Sequence, residues 1–184
     1  MARYDKRDKE DGAVLVEFAL VVGLLLLIVF GTIEMGLAFR DWLSMTSATR
    51  EGVRVGTAAG THMDADCFVL DALSGSLQAV PLDDIEQVWI FKADAFGAPA
   101  AFGTDMQVYQ VAGDTPADLL TCNTGWDRLI ATYPPAVRQV QSSDLDLFGV
   151  RIVFNHNWVT NIGPFGGTVE WTDDAVMRME PKQF

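Results

Sequence analysis

A chain of 184 residues with a net charge of −12 has room for one folded core beside any anchor. The excess acid lies in residues 40–184, where nine basic side chains face nineteen acidic ones; this argues against nucleic acid and anionic lipid as partners. Two cysteines and two histidines leave little material for a metal centre.

The first eleven residues, MARYDKRDKED, form a crowded leader with four basic and four acidic side chains, and Gly12 follows. From Phe18 to Ile33 there are sixteen consecutive residues without a charge. As a helix, Ala13–Phe39 is about 40 Å long, against roughly 30 Å of hydrocarbon in a bilayer. A helix also satisfies its own backbone, as a lipid-exposed segment must. The sequence therefore predicts a leader over 1–12, a transmembrane helix over 13–39 and a folded domain over 40–184. Arg3, Lys6, Arg7 and Lys9 precede the span and favour a cytoplasmic N-terminus, with the domain outside the cytoplasm. A secretory signal peptide is the competing assignment, although no convincing A-x-A site follows the apolar run. Glu17 lies five residues past Gly12, inside the apolar stretch. A carboxylate at the bilayer centre costs about 2.5–3.5 kcal/mol and less near the interface, so an acid there marks function. Glu34, about 25 Å further along the helix, marks the outer interface and carries no assigned role.

Beyond the span, Ala38, Trp42, Met45, Thr49, Gly52, Val53 and Gly56 recur at helical spacing, with Arg40, Asp41, Arg50, Glu51 and Arg54 mostly on other faces. Small residues on that stripe predict a close approach by a sheet, and Ala58-Ala59-Gly60 predicts the stop. A second helix is expected after a capping Asp64, with Cys67, Leu70, Leu73, Leu77 and Val80 on one face and Pro81 at its end. Ile85–Lys92 reads as a central strand covered on both sides. Residues 94–105 read as a loop, and Gln107–Ala112 as a short edge strand. Trp126, Leu129, Ile130 and Tyr133 have the spacing of a short helical face before Pro134-Pro135. Phe148–Val159 alternates Val150, Ile152, Phe154, His156 and Trp158 against Arg151, Val153, Asn155 and Asn157, and reads as a strand. After the turn residues 161–167, Thr168–Met179 is a second strand with an expected bulge at Asp173-Asp174. The fold class is α+β: a long N-terminal transmembrane helix packed on a small antiparallel sheet, with one or two further helices.

In an oxidising compartment, Cys67 and Cys122 would form a disulfide closing a loop of about 55 residues, a constraint of roughly 4 kcal/mol; two free thiols are the alternative. Hydrolytic chemistry lacks a nucleophile in a strained turn with a base in reach, and no enzymatic activity is expected. His156 reads as a packed sheet residue. The acidic groups Asp64/Asp66, Asp83/Asp84/Glu86, Asp144/Asp146 and Asp173/Asp174 read as solvated turns and caps, not as cation ligands.

The run GAVLVEFALVVGLLLLIVFGTIEMGLAF, followed by TREGVRVG and later by HNWVTNIGPFGG and AVMRMEP, resembles the TadE-like minor pilins (pseudopilins) of the Tad, or Flp, pilus system. Its leader, Gly12, Glu17 and Phe18 resemble a prepilin processing signal. The resemblance implies cleavage by a prepilin peptidase between Gly12 and Ala13, and pairing of the new Ala13 ammonium with a Glu17 carboxylate. It also implies the major Flp pilin, another minor pilin and a membrane assembly platform as partners, a role in adhesion or secretion, and no cofactor. The alternative is a membrane-anchored extracytoplasmic binding module that does not polymerise and meets its ligand through residues 94–105 and 114–124.

Overall fold

The computed structural model describes residues 6–77, 80–99, 101–111, 125–141, 143–161 and 165–181, with side chains from Gly12 onward. Cys122 and the loop 114–124 lie outside the described residues. The chain divides into two compact units, Met1–Phe39 with Asn157–Thr168, and Arg40–His156 with Val169–Phe184. In chain order the elements are α1 (Lys6–Ala59), α2 (Ala65–Ser76), β1 (Ile85–Ala93), β2 (Met106–Val111), β3 (Trp126–Ala131), β4 (Val140–Gln141), β5 (Asp144–Leu145), β6 (Leu147–Asn157) and β7 (Thr168–Arg178). The α+β architecture follows the sequence expectation.

Helix α1 has no internal proline and ends where predicted. Gly60 adopts a left-handed φ of 59°, and its N–H reaches the Gly56 carbonyl at 3.1 Å, closing the last turn. In the larger unit, α1 buries Met45, Ala48, Thr49, Gly52, Val53, Gly56 and Thr57. Two glycines set how closely it can pack. A Cβ on Gly52 would lie 2.8 Å from Leu73 Cδ2, and one on Gly56 would lie 2.2 Å from the Phe148 ring. The predicted stripe therefore holds, with two corrections. Trp42 is 40% exposed, with its ring edge-on to Trp171 at 6.0 Å between centroids, whereas Asp41 is buried on the helix's inward side.

The five-stranded sheet has the order β3-β2-β1-β6-β7, with antiparallel pairing of β1 with β2, β1 with β6, and β2 with β3. β1 is central, as expected. One face presents Val88, Ile90, Tyr109, Phe148, Val150, Ile152 and Phe154 to a core shared with Val69, Leu70 and Leu73 of α2 and with the α1 stripe. On the other face Phe91, Ala93, Met106 and Val108 form a smaller cluster. There Gly149 sits opposite Phe91, and a Cβ at Gly149 would fall 2.4 Å from that ring.

Several expectations need correction. Residues 126–131 are the edge strand β3, not a helix, and β2 is an interior strand. The spacing of Trp126, Leu129, Ile130 and Tyr133 mimics a helical stripe, but pairing with β2 overrides it. Helix α2 ends at Ser76, and Asp64 makes no side-chain cap; Cys67 is half-buried, not inward-facing. On β7, Trp171, Asp173 and Ala175 all face the α1 side, so the alternation runs through the paired aspartates without reversal. Thr46 and Thr49 donate hydroxyl hydrogen bonds to Asp173, while Trp171 and Ala175 pack on the main core. Register shifts occur instead between Ile85 and Gln87 and between Val108 and Tyr109.

Two of the acids read as solvated are buried. Asp66 on α2 pairs with the buried Arg138 and accepts hydrogen bonds from Tyr109 Oη at 2.8 Å and Gln107 Nε2 at 3.2 Å. Arg138 also lies over the rings of Tyr133 and Phe148, at 5.2 and 5.0 Å. Asp146 binds Lys92 Nζ at 2.7 Å, Tyr133 Oη at 2.8 Å and the Gln139 N–H at 2.9 Å. Burial pushes the Asp146 carboxyl up, but these three donors outweigh it and hold the group below the usual aspartate range. Together the two acids fasten the irregular stretch 133–146 to α2 and β1.

Gly56→Ala is expected to destabilise the full chain by about 1–3 kcal/mol, because the Phe148 ring must move, despite alanine's better helix propensity. Gly75→Ala on α2, where a Cβ meets nothing within 4 Å, should stabilise by about 0.5–1 kcal/mol. Thermal melts in detergent check both signs. The depressed Asp146 value gives stability that is present above the unfolded-state pKa and lost as pH falls through the folded-state value. Melting midpoints across the acid range should therefore drop more steeply for the wild type than for Asp146→Asn.

Candidate assembly and membrane site

The smaller unit carries every residue the sequence singles out for processing and assembly. Gly12, Ala13, Glu17 and Phe18 all lie on α1, and all are exposed. Helix geometry places Ala13 and Glu17 one turn apart on the same side. Side chains on a helix lean toward its N-terminus, so the Glu17 carboxylate is directed back toward residue 13. Among the described residues none donates a hydrogen bond or ion pair to Glu17.

Around these groups the helix surface is apolar on all sides. Val14, Leu15, Val16, Phe18, Leu20 and Val21 are all more than half exposed. The segment Gly12–Ala59 contains a window of mean hydropathy 3.0, none of it buried. Such a surface is compatible with a membrane anchor. A soluble helix of this length would show one apolar stripe; this one has no polar face between Phe18 and Ile33.

Glu34, the second acid of the apolar stretch, is fully buried, and its surroundings were not legible from the sequence. One carboxylate oxygen accepts the Val159 N–H at 3.2 Å, and the other accepts the Thr160 N–H. The connection between β6 and β7 lies against α1 here. Phe165 covers Gly31, where a Cβ would be 3.3 Å from the ring, and Trp158 stacks at a tilt on Phe165 at 5.1 Å. Asn161, at a left-handed φ of 50°, ties the connection to itself: its Nδ2 donates to the Trp158 carbonyl and its Oδ1 accepts the Gly167 N–H. The sequence held one clue, a charged residue in an apolar run that must find donors somewhere.

In the larger unit His156 does pack within the sheet, as expected, but a carboxylate stands beside it. Its Nδ1 lies 3.1 Å from Asp41 Oδ2, and its ring stacks on Trp171 at 4.7 Å with an interplanar angle of 2°. Arg40 holds the other Asp41 oxygen at 2.8 Å. Cys67 is not a free thiol.

Residues 12–54 match the family model described as TadE-like protein. The matched segment begins at Gly12 and lies wholly within α1. No curated protein and no solved structure matches the chain.

Hydrogen bonds to a charged acceptor contribute about 1.5–3 kcal/mol each. Glu34→Ala should therefore speed amide exchange at Val159 and Thr160 by at least about tenfold, with little change at the β1 amides. Hydrogen exchange with mass spectrometric readout checks this.

Proposed function

We propose that this chain, TadE-like over residues 12–54, is a minor pilin of a Tad (Flp) pilus system, made as a prepilin and cut after Gly12. The observation that carries the reading is Glu17: an exposed carboxylate on the apolar part of α1, with no donor among the described residues. A charge so placed favours a state in which a positive group meets it outside water. Cleavage between Gly12 and Ala13 would create that group. Residue 13 would then begin the helix with a free ammonium, and Glu17 would lie one turn inside. There the helix dipole favours negative charge as well. The same ammonium on a neighbouring subunit could serve equally, which would align subunits as they leave the bilayer.

On this reading residues 1–12 are the leader and 13–39 the single membrane span, with the N-terminus cytoplasmic and 40–184 outside. Phe18 belongs to the assembling helix surface. The chain is a substrate of a prepilin peptidase and not itself an enzyme. Its partners are the major Flp pilin, a second minor pilin and the assembly platform of the cytoplasmic membrane, in a machine serving adhesion or secretion. A Cys67–Cys122 disulfide fits an extracytoplasmic domain, and Cys67 carries no free thiol.

N-terminal sequencing of the mature protein from its native host should give Ala13 as the first residue. Gly12→Val should leave the leader attached. Glu17→Ala should be cut normally but assemble poorly: losing one partner of a buried pair costs about 3–5 kcal/mol, at least about a hundredfold in incorporation. A mature protein beginning at Met1 that still assembles would contradict the reading; one beginning beyond Phe39 would indicate signal-peptidase processing instead.

A further inference from the structure

The connection between β6 and β7 has no acidic or basic residue from Asn157 to Thr168. Its aromatic residues Trp158 and Phe165 are only half-buried, and Val159 is 69% exposed. It lies on α1 at Gly31 and Glu34. Measured from Ala13, Ile33 is about 30 Å along the helix, the thickness of the hydrocarbon core, so Glu34 falls at the far boundary of the span. We propose that the described residues of this connection, Trp158–Asn161 and Phe165, form a second membrane-contacting element, seated in the interfacial layer of the bilayer at the Glu34 end of the span.

Three physical features support a lipid surface as the occupant. Aromatic side chains with one polar edge concentrate at this depth, and Trp158 is such a residue. Backbone entering a poorly hydrated layer must have its polar groups satisfied. The Val159 and Thr160 N–H groups are satisfied by Glu34, which at the same time relieves the cost of burying that carboxylate. Finally, an uncharged tip avoids the repulsion that the acidic bulk of the chain would meet at an anionic surface. In effect, the loop would fix how deeply the span sits. The inference rests on the membrane reading of α1, and the test separates the two.

The full chain is reconstituted in phosphatidylcholine vesicles whose acyl chains carry bromine either near the headgroup or near the chain terminus. The fluorescence difference between wild type and Trp158→Phe isolates Trp158. Val159→Trp in the Trp158→Phe background gives a second probe at an already exposed position. Leu25→Trp, also in that background, reports the middle of the span. The proposal expects the Trp158 and Val159→Trp signals to be lost mainly to the shallow bromine, and the Leu25→Trp signal mainly to the deep one. If Leu25→Trp is quenched while both loop probes remain bright, the span stands and the loop proposal is overturned; the face then meets water or a second copy. If no probe is quenched, the loop proposal and the membrane reading of α1 both fall.

Discussion

A carboxylate among apolar side chains needs a donor, and helix α1 carries two such acids with opposite solutions. Glu34 is fully buried, and two backbone N–H groups of the β6–β7 connection bind it. Glu17 stands exposed on the apolar surface, and no described residue serves it. The first acid is satisfied within the chain and fixes local structure. The second has no partner among the described residues, and the proposed function assigns it one in the ammonium that cleavage after Gly12 would create. In water either charge would be solvated at little cost; in a medium of low dielectric the difference amounts to several kcal/mol.

The same helix also shows how one secondary structure serves two kinds of packing. Between Phe18 and Ile33 its surface is apolar all round, as lipid or a bundle of like helices requires. From Met45 to Thr57 it presents a one-sided stripe whose glycines admit Leu73 and Phe148. Gly52 and Gly56 give up helix propensity for contact with α2 and the sheet, and the buried area behind them holds the larger unit together. The match to TadE-like protein covers the first region and the second as far as Arg54.

What could be read from sequence was whatever a single element decides by itself. The apolar run, the glycine stripe, the central β1 and the alternating β6 are local patterns, and all were legible. β3 was misread because four apolar residues fell at helical spacing, and only the partner strand β2 determines otherwise. The ion pair of Asp66 with Arg138 joins residues 72 apart, and Glu34 meets Val159 across 125 positions. No local periodicity carries such information, so these acids looked like surface charges or interface markers. Gly12, Ala13, Glu17 and Phe18 were singled out by their order along the chain, because the processing signal proposed for them is linear and is read without any tertiary contact.

The account depends on a positive group coming within contact distance of Glu17 once the subunit has left the bilayer. Solid-state NMR on assembled material, with 15N at the Ala13 amine and 13C at the Glu17 carboxyl, measures that separation directly through their dipolar coupling. Dilution with unlabelled subunits distinguishes a partner in the same chain from one in a neighbour. The account predicts a nitrogen-to-carboxyl separation within about 4 Å, an ion-pair distance. A separation beyond about 6 Å in intact fibres, too long for any direct pairing, would contradict it.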